Sequence, residues 1–346
     1  MIYDTGEYDI QLDIPANNVL IRDLFNGHLE HFDSYLDSIR SSINRDTLIV
    51  LLGAFQCIQK ESFWTNKLNQ FVEETGNTVV VFSGQLQDIH ANTDDNDKFH
   101  FYRICMFDYV STLHWNRRQE NQTRNWHLDS ERDRVYKFYW ASTKDWTFRR
   151  YILSGLIDHR LLENNLVNYK CLYSDSAEQL RMRYGSALDA IVEESNRIQH
   201  QLPLPPLDNT VEFSQTDVNF YLDSYLGIVT DTFFDNGIFV SEKVFNAMNY
   251  QQMFFYIGYQ GTLKHLQDQG YCVFDDIIDI GYDRILDPIE RLVQARKSLL
   301  NFLNQPLEQI KQAYSRAIPG IQHNKKLVMQ QRPDTKITNY LSQLVK

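Results

Sequence analysis

The chain has 346 residues, 43% hydrophobic and 23% charged, enough for two domains at about 150 residues each and too apolar for a disordered chain. Its net charge of −11 opposes non-specific attraction to nucleic acid or anionic lipid, while leaving room for a local basic pocket. Four dispersed cysteines, Cys57, Cys105, Cys171 and Cys272, form no CxxC pair and read as reduced, mostly buried thiols rather than a disulfide framework or zinc site.

The first residues, Met1 to Glu7, are acidic, and the longest strongly apolar run, 48–55, has eight residues. A bilayer span needs about 20 and a signal peptide needs a basic start, so the expectation is a cytosolic protein with no membrane span. Residues 47–53 then form a continuous apolar run closed by Gly53, the pattern of a parallel strand buried on both faces. Phe63, Trp64, Leu68, Phe71 and Val72 follow at helical spacing, stopped by Gly76. A second buried strand is predicted over 78–84, a polar loop over 85–98 and a third strand over 99–107. This alternation predicts a doubly wound α/β domain over 1–134.

A second α/β domain is predicted over 135–305. Its strand at 135–140 leads to a helix over about 146–164 and a strand at 166–173. Residues 186–200 read as helical, and a proline-rich connection at 201–207 leads to strands at 224–230 and 253–258. Asp287, Pro288 and Glu290 mark a capped helix start. Ile289, Leu292, Val293, Leu299, Leu300 and Leu303 supply its apolar stripe. The tail 306–346 is expected to be helical; C-terminal helices of two-Rossmann enzymes commonly cross back onto the first domain, a crossing that no residue pattern here requires. In open α/β sheets, ligands gather beyond the carboxyl ends of the strands, which directs attention to a cleft between the halves.

The densest local signal is the stretch 237–248. Val240, Val244, Phe245 and Met248 share one helical face, so a helix begins near Ser241, a good N-cap, with Glu242 favourable in its first turn. Lys243 opposes the helix dipole there. It is either an exposed lysine on a solvated face or a cation waiting for an anion, such as a diphosphate, above the free N–H groups.

Residues 239–248, Phe-Val-Ser-Glu-Lys-Val-x-x-Ala-Met, followed by the strand at 253–258, resemble the donor-site motif of the fucosyltransferase-like inverting glycosyltransferases. The resemblance implies the GT-B fold, two Rossmann-like domains facing across a cleft. It also implies that Glu242 holds the ribose hydroxyls and Lys243 the pyrophosphate of a nucleotide sugar. The strand at 137–140 and the helix led by Arg149 are similar to the start of that family's donor domain, which would set Arg149 on the diphosphate; a surface arginine on an amphipathic helix is the competing reading. Three departures stand out: Asp231 replaces a glutamate, Ser241 replaces threonine, and the proline expected in the following strand is absent.

Inverting transfer needs a base for the acceptor hydroxyl and positive groups for the leaving diphosphate. Asp88 and His90, just past the second strand, are the foremost candidates for the base, with Asp108 and His114 next. No metal and no cofactor beyond the donor itself is expected; Asp95 and Asp97 have Asp-x-Asp spacing but lie in a solvated Asn/Asp run. No GxGxxG, Walker or GxSxG loop points to other chemistry. The acceptor is expected to be a glycan or a modified nucleic-acid base, the latter kept open by Arg117, Arg118 and Arg124. The alternative is a non-catalytic sugar-nucleotide or glycan-binding protein, or an assembly protein, on the same scaffold.

Overall fold

In the computed structural model the described residues are 2–4, 9–11, 19–23, 32–53, 63–83, 100–103, 133–175, 177–204, 218–231, 234 and 237–330. The chain divides into two compact units, 1–122 with 236–242 and 331–346, and 123–235 with 243–330.

The first unit opens with a small antiparallel pair, β1 (Ile2–Asp4) and β2 (Asp9–Gln11). Its main sheet is wholly parallel. β3 (Val19–Asp23), β4 (Leu48–Gly53), β5 (Val79–Ser83) and β6 (His100–Arg103) lie side by side in chain order. Two helices, α1 (Phe32–Arg40) and α2 (Phe63–Thr75), supply Phe32, Tyr35, Leu36, Ile39, Leu68 and Phe71 to one cluster with Ile49, Leu51, Val79 and Val81. The intervening Val50 and Val80 are also fully buried, so the sheet is covered on both faces and its strands read as unbroken apolar runs. Gly76 ends α2 at φ 68°, the left-handed conformation glycine adopts without steric cost.

The second unit holds another four-stranded parallel sheet, in the order β10-β9-β7-β8. β7 (Tyr136–Asp145) runs into α3 (Thr147–Asp158) and β8 (Leu166–Ser174), followed by α4 (Ala177–Tyr184) and α5 (Asp189–Arg197). α6 (Val218–Leu222) then leads to β9 (Ser224–Thr230) on the other side of β7. α7 (Glu242–Asn249), β10 (Met253–Ile257) and α8 (Thr262–Asp268) follow. α9 (Pro288–Leu303) and α10 (Leu307–Gln330) complete the unit. Every residue of β9 and β10 is buried.

Both units therefore have the Rossmann-like arrangement, an α/β unit built on a parallel sheet. β7 is longer than its sequence signal because Ser142, Lys144 and Asp145 continue the strand past an irregularity between Ser142 and Lys144. The thiols depart from expectation: Cys171 is exposed and Cys272 half-buried, while Cys57 and Cys105 lie outside the described residues. Among the described residues, no helix is long and apolar enough to cross a membrane.

Candidate functional site

The chain adds β8 on one side of β7 and β9 on the other. The carboxyl ends of β7 and β9 thus form a topological switch point, the place where open α/β sheets generally bind their ligands. The residues there are Ser142 and Asp145 from β7, Thr147 and Arg149 from the start of α3, and Thr230 and Asp231 from the exit of β9.

Arg149 is 1% exposed. Its guanidinium donates to the Ser142 hydroxyl (2.9 Å) and to the carbonyls of Thr230 (3.1 Å) and Asp231 (2.7 Å), so it binds the ends of β7 and β9 together. The rings of Trp146 and Phe148 lie 5.1 and 5.5 Å from it. The surface alternative is thereby excluded for this arginine. Arg291, also buried, performs the same service for β10 and the exit of β9, donating to the carbonyls of Phe234 (2.8 Å), Gly258 (3.3 Å) and Ile285 (2.8 Å). Asp231, 0% exposed, accepts a hydrogen bond from the Tyr256 hydroxyl.

Two helix starts in this unit, those of α3 and α8, are finished by carboxylates brought from elsewhere in the chain. Trp146, the N-cap of α3, offers no side-chain cap; Asp175, just beyond β8, accepts instead from the Thr147 N–H (2.9 and 3.0 Å) and hydroxyl (2.9 Å). Arg150 sits between Asp145 (3.6 Å) and Asp175 (3.8 Å) and balances them. α8 begins at Gly261, with φ 77° and no side chain; the buried Asp283 accepts from the N–H groups of Leu263 and Lys264, both at 3.2 Å. Burial pushes the Asp283 carboxyl above its ordinary value, against those N–H bonds, which pull it down. α9 is capped as its sequence predicts, Asp287 accepting from the Glu290 N–H at 2.7 Å.

The start of α7 is different. Ser241 immediately precedes the helix, is 0% exposed, and its hydroxyl makes no hydrogen bond. A buried hydroxyl without a partner costs about 1–3 kcal/mol. The expected serine cap is thus in position without making the capping bond. Behind it, Val240, Val244, Phe245 and Met248 are all buried, as the helical face predicts. Lys243 is half-buried in the first turn. Glu242 is the first helical residue; its side chain is not among those described.

Of the residues singled out by sequence, Arg149 and Lys243 fall in the second unit and Ser241 and Glu242 in the first, the division lying between 242 and 243. Asp88, His90, Asp108, His114, Asp95, Asp97 and the arginines at 117, 118 and 124 lie outside the described residues. Of the aromatic side chains between 250 and 274, Tyr250, Phe254, Phe255, Tyr256, Tyr271 and Phe274 are buried in the core. Tyr259 is half-buried, its ring 5.8 Å from the Arg291 guanidinium. The roles of Asp175, Arg291 and Tyr256 left no signal in the sequence, because they depend on partners far along the chain.

No family model and no curated protein sequence matches the chain. Among solved structures it is similar to an α,α-trehalose-phosphate synthase (UDP-forming) from Burkholderia vietnamiensis, at 12% identity and a TM-score of 0.47, covering 92% of this chain and 80% of that one. It is also similar to a DNA-modifying β-glucosyltransferase studied with and without its substrate uridine diphosphoglucose (11% identity, TM-score 0.31, 90% and 99% covered). A third is a glycosyltransferase from Rickettsia africae (10% identity, TM-score 0.33, 94% and 99% covered). These neighbours are glycosyltransferases, and none of the three is a fucosyltransferase. At this distance the likeness concerns the course of the chain, so the fucosyltransferase-like assignment implied by the 239–248 motif gains nothing from it.

Proposed function

We propose that the chain is a glycosyltransferase that binds a nucleotide-diphosphate sugar at the start of α7. The observation that carries this reading is Ser241: wholly buried at a helix N-terminus, with a hydroxyl that has no hydrogen bond. A helix N-terminus attracts anions through its dipole and its N–H groups. A diphosphate oxygen would accept from the Ser241 hydroxyl and remove the penalty of its burial, and Lys243 in the same turn would add a cation. On this reading Glu242 takes the ribose hydroxyls. Arg149 contributes positive charge from behind the switch point while holding its protein partners.

The reaction in this reading is an inverting transfer. The acceptor hydroxyl gives its proton to Asp88 or His90, its oxygen forms the new bond to the sugar carbon, and the bond to the diphosphate breaks with its electron pair leaving on phosphate. The positive start of α7 stabilises that leaving charge without a metal. The acceptor class is a glycan or a modified nucleic-acid base, and the site of action the cytosol.

A melting panel of UDP, GDP, CDP and dTDP tests the first part. A nucleotide at 100 times its Kd stabilises by about 2.7 kcal/mol, and that shift is expected to vanish in Lys243→Ala. No shift from any of the four at millimolar concentration removes the reading. Slow hydrolysis of the matching nucleotide sugar without acceptor separates an enzyme from a binding protein.

A further inference from the structure

The exit of β9 is held more firmly than a connection needs to be. At Asp231 alone, the N–H donates to the Ile257 carbonyl (2.9 Å), the carbonyl accepts from Arg149 (2.7 Å), and the carboxylate accepts from Tyr256. Three residues on, the Phe234 carbonyl accepts from Arg291 (2.8 Å), and its ring lies between the Phe148 ring (5.3 Å) and the Arg291 guanidinium (4.7 Å). Gly258 belongs to the same device. A Cβ there would lie 2.7 Å from the Tyr256 ring and 3.3 Å from the Asp231 Cβ, so a side chain at 258 would split the pair.

Burying Arg149, Arg291 and Asp231 at one sheet edge carries a desolvation cost that apolar packing would avoid. Such a cost is typical of sites where geometry matters more than stability. The amino edge of the same sheet supplies a control. There the buried Arg134 donates to the carbonyls of Tyr221, Ser224 and Gln251 and to the Tyr314 hydroxyl, with no candidate site beside it.

We infer that Asp231, held by the Tyr256 hydroxyl, is a positioning residue: it fixes the point from which the chain leaves β9 toward α7, and so presets the nucleoside-diphosphate site. Its value for the ligand rests on the function proposed above; the fixing of the connection does not.

The test uses the full chain and the variants Tyr256→Phe, Asp231→Asn and, as control, Arg134→Met. Hydrogen exchange in peptides covering 231–241 is expected to rise about tenfold or more in Tyr256→Phe, as loss of a hydrogen bond to a carboxylate implies. Asp231→Asn, which still accepts from Tyr256, is expected to stay near the parent, and Arg134→Met to unfold more easily with these peptides unchanged. UDP, GDP, CDP and dTDP titrations well below Tm follow, with affinity for the binding nucleotide expected to fall about tenfold in Tyr256→Phe and to hold in Arg134→Met. Unchanged exchange at 231–241 in Tyr256→Phe overturns the positioning role. Raised exchange with unchanged affinity overturns its link to the ligand. Raised exchange in a parent chain that binds none of the four nucleotides leaves the positioning role standing and removes the proposed function.

Discussion

The starts of α8 and α7 are finished in opposite ways. At α8 the helix begins with a glycine that has nothing to offer, and Asp283 brings a carboxylate from 19 and 20 residues away to the N–H groups of Lys264 and Leu263. At α7 the cap residue is a serine suited to the task, yet its buried hydroxyl is bonded to nothing. At α8 the protein thus fills a helix N-terminus with an internal anion. A start with a suitable but unused cap is where an external anion would fit.

The largest expected effect comes from cutting the tie between the ends of β7 and β9. Arg149→Ala leaves the Thr230 and Asp231 carbonyls and the Ser142 hydroxyl without their donor. It is expected to destabilise the second unit by about 3–5 kcal/mol in urea unfolding. Next, Asp283→Ala uncaps α8 and should cost about 1–3 kcal/mol by the same measurement. Ser241→Ala is the counterpart: it deletes a buried hydroxyl with no bond to lose, so the variant should be no less stable than the parent and gain up to about 1–3 kcal/mol. Calorimetric titration with a nucleoside diphosphate should nonetheless show weaker binding. A drop in stability as large as that of Asp283→Ala would mean that the two starts are alike after all.

The smallest effect is a pH dependence. The Asp283 carboxyl titrates above 3.8 in the folded chain because it is buried. The stability that its protonated form contributes is fully present below the unfolded value and is lost as pH rises through the higher folded value. The stability of the parent relative to Asp283→Asn should therefore decline as pH is raised from 3 to 7. A flat difference would show that the N–H bonds at Leu263 and Lys264 offset the burial.

The strands that were legible in the sequence are those the fold buries on both faces. Residues 48–53, 79–83, 224–230 and 253–257 are continuous apolar runs because successive strand residues, which face opposite sides of the sheet, are both buried. α9 was legible to the residue because Asp287 and Pro288 act locally. β3 escaped notice because its short run ends in Arg22 and Asp23, and α1 because its stripe of Phe32, Tyr35, Leu36 and Ile39 is interleaved with Asp and Ser. At the site, the position of Ser241 was legible and its missing bond was not, since satisfaction of a hydroxyl depends on what surrounds it. The same holds for Arg149: its helix was foreseeable, but its partners at 142, 230 and 231 come together only when β9 is laid against β7.

Trp146 gives this edge a built-in optical handle. Its ring lies 4.6 Å from the Lys144 ammonium and 5.1 Å from the Arg149 guanidinium, with the Phe148 ring 5.7 Å away. Indole emission responds to nearby charge, so an anion that drew Lys144 or Arg149 toward itself would alter the tryptophan spectrum. Were an anion to bind there, intrinsic fluorescence would follow it without any label, and Trp146→Phe would identify which part of the signal belongs to this ring.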